Sequence, residues 1–233
     1  MNLKVRSIAP ELMDAPDLDE ATYARCLKDL AAVNRVTATH AASLGWLRRA
    51  TAGLPPGARF SVLDIAYGQG DLLRAVAGWA ARAGYAVELT GIDLNPRSAV
   101  AAQAATPSDA PITYLTGDIF EYEPAEPFDF ILTSQFTHHL PDEDVLRLIG
   151  WMEAHAARGW HIADLHRHWF AYYGFRWLAR LFGWHPIVRY DGTVSIARSF
   201  RRAEWQALLD AAGVAADLRW HWLFRYGIGR LKT

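Results

Sequence analysis

The chain has 233 residues, 52% of them hydrophobic, and a formal net charge of −1, which suits one α/β domain with a cap, or at most two small domains. The balanced charge leaves no electrostatic footprint for nucleic acid, whose binders concentrate Lys and Arg on one face; Arg198, Arg201 and Arg202 are the one tight basic cluster and read as a solvated helix start. The single cysteine, Cys26, excludes a disulfide framework and a Cys-based zinc site, and neither a membrane-spanning run nor a signal peptide is found, so a cytoplasmic protein is expected.

Residues 1–50 read as a helical cap: an extended Pro-containing arm, an amphipathic helix from about Asp19 to Val33, and a second from about Thr39 to Ala50. Gly53-Leu54-Pro55-Pro56-Gly57 is a loop at the entrance to the remaining unit, residues 51–233. Val62, Leu63 and Ile65 then form a short apolar run ending in a turn with Gly68 and Gly70, as expected for a buried parallel strand that opens onto a helix. Ligands bind at such strand ends, and glycines there let the backbone approach them closely. The next strand ends in Gly91-Ile92-Asp93-Leu94-Asn95, where the Asp93 carboxylate can accept hydrogen bonds from both hydroxyls of a ribose. The pairing points to a nucleoside cofactor. A dinucleotide fits poorly, because Leu73 stands where its fingerprint needs Gly or Ala and Asp64 would face a pyrophosphate. The only lysines are Lys4, Lys28 and Lys232, so a P-loop, a Tyr-x-x-x-Lys dehydrogenase pair and a central Schiff-base lysine are all lacking.

The series Asp64-x-Ala66-x-Gly68-x-Gly70 resembles the first motif of class I S-adenosylmethionine-dependent methyltransferases, acid-x-Gly-x-Gly-x-Gly, with Ala66 in place of the first Gly. A carboxylate at Asp64 suits the ammonium and sulfonium end of that cofactor. Further along, Ile112 to Phe120 looks like the third strand, with Asp118 and Ile119 where the family reads adenine. Phe128 to Gln135 looks like the fourth, with Ser134 near the reacting methyl, and Trp160 to Leu165 like the fifth. Leu218 to Leu231 looks like a closing antiparallel pair turning near Arg225 to Gly227. The resemblance implies a Rossmann-like, doubly wound α/β sheet of seven strands, with S-adenosyl-L-methionine held by Asp64, Ala66, Gly68, Gly70, Asp93, Leu94, Asp118, Ile119 and Ser134.

Between the fifth strand and the helix containing Trp205, Leu208 and Leu209, residues 166–200 form an insertion rich in aromatic residues. Most of these rings are expected to pack as two short helices on the sheet and the cap. A subset, with His166, Trp169 and Tyr173 as candidates, is expected to line a substrate pocket as a lid, and membrane-surface contact or dimerisation is a further reading. After the fourth strand, Thr137-His138-His139-Leu140-Pro141-Asp142-Glu143-Asp144 resembles the His-His-Leu-Pro segment of small-molecule methyltransferases. It also resembles the segment of plant phenolic O-methyltransferases that carries the proton-accepting His, which falls on His138. A phenol with a pKa of roughly 10 gains from an imidazole of pKa about 6.5 beside it, so His138, then His139, are the candidate catalytic residues. The same stretch also reads as a helix N-terminus on which both histidines merely cap or pack.

No metal is expected. Metal-dependent catechol methyltransferases place an acid after the fourth strand and Asp-Asn after the fifth, where this chain has Ser134-Gln135 and Asp164-Leu165, and His161, His166 and His168 do not make up the deficit. The expected activity is methyl transfer to a small apolar aromatic acceptor of phenolic, quinol or polyketide type, at oxygen ahead of carbon, by a monomer or homodimer. The other readings are a noncatalytic cofactor-binding partner subunit and a nicotinamide-dependent dehydrogenase.

Overall fold

Among the described residues seven strands form one sheet in the order β3-β2-β1-β4-β5-β7-β6, all parallel except β7, which runs against both β5 and β6. The strands are β1 (Arg59–Ile65), β2 (Ala86–Asp93), β3 (Ile112–Thr116), β4 (Phe128–Ser134), β5 (Ala156–Leu165), β6 (Asp217–His221) and β7 (Arg225–Leu231). This computed structural model describes residues 2–15 and 17–232; Met1 and Pro16 of the expected cap, and Thr233 at the far end, lie outside the described residues. The order steps outward from β1 in one direction and from β4 in the other, so the β1/β4 boundary is the switch point where ligands bind beyond the strands' carboxyl ends.

Val62, Leu63 and Ile65 of β1 and Phe130, Ile131 and Leu132 of β4 are all buried, as strands covered on both faces require. Helices α3 (Asp71–Ala83) and α4 (Pro96–Ala105) follow β1 and β2, and α5 (Asp142–His155) and α8 (Arg202–Ala212) help enclose the second apolar core around Trp160, Phe200 and Trp205. Gly70 begins α3 at φ 73°, and a Cβ there would meet the Tyr114 hydroxyl at 2.2 Å. Ala66 takes φ 60° without being glycine, a strained conformation for an L residue, and its N–H donates to the Ile92 carbonyl at 2.8 Å.

Among the described residues the cap holds two α-helices, α1 (Glu20–Val36), with Asp19 as N-cap, and α2 (Ala41–Ala50). Arg225, buried at the start of β7, donates to the Thr37 carbonyl and to the Thr37 and Thr39 hydroxyls, fastening the α1–α2 turn to the sheet. The insertion is also two helices, α6 (Trp169–Leu181) and α7 (Pro186–Arg198).

The closing hairpin turns at residues 222–224, not at Arg225 to Gly227. Leu223 and Phe224 take φ 63° and 58°, so ordinary residues make the turn. The glycines that suggested it lie within β7, where a Cβ on Gly227 would meet His161 at 2.8 Å and one on Gly229 would meet Trp46 at 2.4 Å.

His161 is itself buried, stacked on Trp46 with ring centroids 5.4 Å apart and 3.3 Å from the Ser43 hydroxyl. Burial, aided by the charges of His221 and Arg49, pushes its pKa down to about 3. A depressed histidine pKa means that the neutral form stabilises the fold above about pH 6.5, and that this contribution is lost as pH falls toward 3. The slope is at most about 1.4 kcal/mol per pH unit. Urea unfolding of His161→Gln between pH 6.5 and 4 should show a shallower loss of stability than the parent; parallel curves would contradict the assignment.

Candidate functional site

At the carboxyl edge of β1 and β4 lies a cavity of about 170 Å³ whose lining includes Asp64, Ala66, Gly68, Ser134, His138 and His139. Six sequence-predicted residues thus share one space. The Asp64 carboxylate is buried there without a cationic partner among the described residues, and burial together with Asp71 and Asp93 pushes its pKa well above the carboxylate range. The Ser134 hydroxyl is likewise buried without a hydrogen-bond partner among the described residues. A wall of this kind fits a ligand that brings positive charge and hydrogen bonds.

Asp93 fixes the glycine loop: its carboxylate accepts from the Gly68 N–H and the Asn95 N–H, both at 2.9 Å. Burial raises its pKa against these bonds. Leu94 next to it is exposed, and Asp118 accepts from the Phe120 N–H at 2.9 Å, turning the chain just after β3 with Ile119 buried between them. Asp64, Asp93 and Asp118 therefore follow one another along the same sheet edge, with the latter two outside the cavity's own lining.

His138 is 2% exposed, and its Nδ1 meets Asp164 Oδ1 at 2.7 Å. The other oxygen of Asp164 accepts from the His138 N–H at 2.9 Å and from the Thr137 hydroxyl. This holds Nδ1–H toward the carboxylate and leaves Nε2 buried, without a hydrogen-bond partner among the described residues, in a residue that lines the cavity. Glu11 stands 3.7 Å from that nitrogen, 3.7 Å from His139 Nε2 and 3.9 Å from Arg198 Nη1, and its carboxylate accepts from the Ser195 hydroxyl at 2.7 Å. Burial opposes the charged forms of His138 and Glu11. For His138 the nearby Asp164 and Glu11 outweigh it and raise the pKa to about 9; for Glu11 the two histidines and Ser195 outweigh it and lower the pKa to about 2.

Three elements build this arrangement. Arg198, at the end of α7, donates to the His138 and His139 carbonyls at 3.2 and 3.0 Å, and Arg6 donates to the Leu140 carbonyl at 2.9 Å, so two guanidinium groups shape the turn after β4. Asp191 of α7 accepts from the Leu12 and Met13 N–H groups at 2.7 and 2.9 Å, which pins the arm that delivers Glu11. Elsewhere in the cavity lining Gln135, at φ 56°, donates to Asn34 at 2.7 Å, and Asn34 and His40 both reach Asp71.

A second, largely apolar cavity of about 260 Å³ adjoins the first and shares Leu30, Gln135 and Ser195 with it; Phe170, Phe175, Leu178 and Ile196 are among its walls, and Arg225 lines it as well. The three sequence-predicted substrate residues lie elsewhere. Trp169 and Tyr173 occupy the exposed stripe of α6, while Phe170 and Gly174, one residue on, face the cavity. His166 packs against Tyr226 and His168, with ring centroids 4.8 and 5.4 Å away.

His161, His166 and His168 do not converge with Asp164, which turns to His138 instead. A different set does converge: Glu11, His138 and His139 each offer a ligand atom, all within 4.8 Å of one another. Glu11, Asp164, Gln135, Asn34, Asp71, Ser195 and Arg198 were not among the sequence candidates. Asp164 alone had a usable signal, since it ends the strand beside β4 and so faces the turn that carries His138.

Residues 62–159 match the family model described as a methyltransferase domain. Among curated proteins no sequence relative matches. Solved structures do. A magnesium protoporphyrin IX methyltransferase from Synechocystis PCC 6803, with bound S-adenosylhomocysteine, is 15% identical over 85% of this chain and 84% of its own, with a TM-score of 0.56. A SAM-dependent methyltransferase from Aquifex aeolicus is 16% identical over 91% and 98%, with a TM-score of 0.60. A plantazolicin methyltransferase, in complex with a triazolic desmethylPZN analogue and S-adenosylhomocysteine, is 18% identical over 80% and 68%, also at 0.60. The strand order of the sheet agrees with these findings: residues 62–159 match a methyltransferase-domain model, and the chain has the fold of these solved methyltransferases.

Proposed function

We propose that the protein methylates an oxygen of a small, apolar aromatic acceptor, using S-adenosylmethionine. The observation that carries this reading is the meeting of two unlike cavities at Leu30, Gln135 and Ser195, one lined by His138 and an unpaired buried carboxylate and the other walled by apolar rings. When bound, the cofactor supplies a methyl group already activated on a sulfonium. Asp64 and Ser134 would hold its charged end, Asp93 the ribose, and Asp118 with Ile119 the adenine. Residues 1–50 and 166–200 close over the site as cap and lid.

The acceptor ring lies among Phe170, Phe175, Leu178 and Ile196, with its hydroxyl toward His138 Nε2. Asp164 keeps the imidazole in the tautomer whose free nitrogen takes the hydroxyl proton, and Gln135 and Ser195 sit at the junction where alignment is set. Because a deprotonated phenol is also nucleophilic at ring carbon, the same base serves C-methylation, which is the second reading. Incubation with S-adenosylmethionine and a panel of phenols, quinols and pyrones should give products heavier by one methyl group. An absence of product across the panel would count against the acceptor class.

The reaction runs without a metal ion. Glu11, His138 and His139 have the spacing of a cation site, but the charge of Glu11 is already met by His138 and Arg198, and a divalent ion would be placed close to that guanidinium. Turnover should therefore survive exhaustive chelation. Activity that vanishes with chelator and returns with zinc or magnesium would assign those three residues to a metal instead.

A further inference from the structure

Helix α6 has three faces. Tyr172 and Ala179 pack inward, and Phe170, Gly174 and Leu178 wall the apolar cavity. The third face repeats every four residues as Trp169, Tyr173, Trp177 and Leu181, and it is open to solvent, with Trp177 72% and Leu181 83% exposed. Large apolar side chains contiguous on a surface mark a contact. Alongside, in the groove between α6 and α7, stand Arg176, Arg180 and Arg189. None of the three forms an ion pair with an acid among the described residues. Helix α6 contains no Asp or Glu, and Asp191, the one acid of α7, is buried against the Leu12 and Met13 N–H groups.

We propose that this face rests on an anionic lipid membrane, with the Trp169, Tyr173, Trp177 and Leu181 stripe in the interfacial layer and the three arginines on lipid phosphates. Trp and Tyr favour the boundary between headgroups and acyl chains, and an apolar helix face flanked only by basic residues is the pattern of an in-plane interfacial helix. Charge selects lipid over a second copy of the chain, since a two-fold pairing of this face would bring like-charged arginine clusters together without acids to offset them. Continuity points the same way. Phe170 is both exposed and part of the cavity wall, so the helix that touches lipid also borders the acceptor space, and an apolar molecule dissolved in the membrane has a short dry route into it. No helix among the described residues is long and apolar enough to cross a membrane, so the contact is peripheral.

Co-sedimentation of the full chain with vesicles tests this without reference to methyl transfer. The parent should bind equimolar phosphatidylcholine and phosphatidylglycerol vesicles at least about tenfold more tightly than phosphatidylcholine alone, with the preference shrinking at high salt. Trp177→Ser with Leu181→Ser should weaken binding to both vesicle types by about tenfold or more, and Arg176→Gln with Arg180→Gln should abolish the preference for the anionic ones. Both pairs should keep the parent's melting temperature and its rate on a water-soluble acceptor. Failure of the parent to sediment with anionic vesicles, or unchanged binding by both variant pairs, overturns the proposal. So does a dimer in analytical ultracentrifugation that Trp177→Ser with Leu181→Ser dissociates, which would assign the stripe to a second copy.

Discussion

His138→Ala should lower the rate of methyl transfer by about a hundredfold or more at neutral pH while leaving S-adenosylhomocysteine affinity nearly unchanged. The expectation rests on Asp164, which occupies Nδ1 and leaves Nε2 as the nitrogen free to take a proton. The pH profile gives the sharper signature. With its pKa raised to about 9, His138 is mostly protonated in the acceptor-free site at neutral pH, and only the deprotonated fraction serves as base. The parent's kcat/KM should therefore climb about tenfold per pH unit and level off near pH 9, because each unit below a base's pKa cuts its free form about tenfold. His138→Ala should lack that limb and follow the acceptor's own ionisation instead. Glu11→Gln removes one of the two carboxylates that raise the pKa, so its limb should move to lower pH, and His139→Ala should cost much less than His138→Ala. Parent-like turnover by His138→Ala at neutral pH would remove the base assignment.

Asp93→Ala should weaken S-adenosylmethionine binding by roughly 1.5–3 kcal/mol, about ten- to more than a hundredfold, through loss of charge-assisted bonds to the ribose. Its effect extends beyond the ribose, because the same carboxylate holds the Gly68 and Asn95 N–H groups. Leaving both donors without a partner should also lower folding stability, by about 1–3 kcal/mol for each that stays buried. Asp93→Asn retains one carbonyl acceptor and should fall between the parent and Asp93→Ala on both measures. Calorimetric affinity set beside the melting temperature separates the two effects; affinity equal to the parent's in Asp93→Ala would place the ribose elsewhere.

The parts of this molecule that were legible in the sequence are those in which local chemistry repeats along the chain. Buried strands announce themselves as apolar runs, and the acids at Asp64, Asp93 and Asp118 recur one per strand end, so the sheet and the shared edge on which these acids stand could be read from the sequence. Boundaries suffered where tertiary packing overrode a local signal. Gly227 reads as a turn residue, yet it lies in β7 because His161 and His221 leave no room for a side chain. On α6 the aromatic content pointed to a pocket, but one residue's rotation separates Phe170 in the cavity wall from Trp169 on the open stripe, and composition carries no such phase. Glu11 was invisible for another reason. It reaches His138 across more than a hundred residues of chain, held there by Asp191, and nothing in the sequence around it records either contact.

The most direct test of the account is a calorimetric titration of the purified protein with S-adenosylmethionine, S-adenosylhomocysteine and NAD in parallel. The account predicts saturable binding of both S-adenosyl compounds, weakened by Asp93→Ala, and no heat from NAD. Tight binding of NAD with no response to either S-adenosyl compound would contradict it.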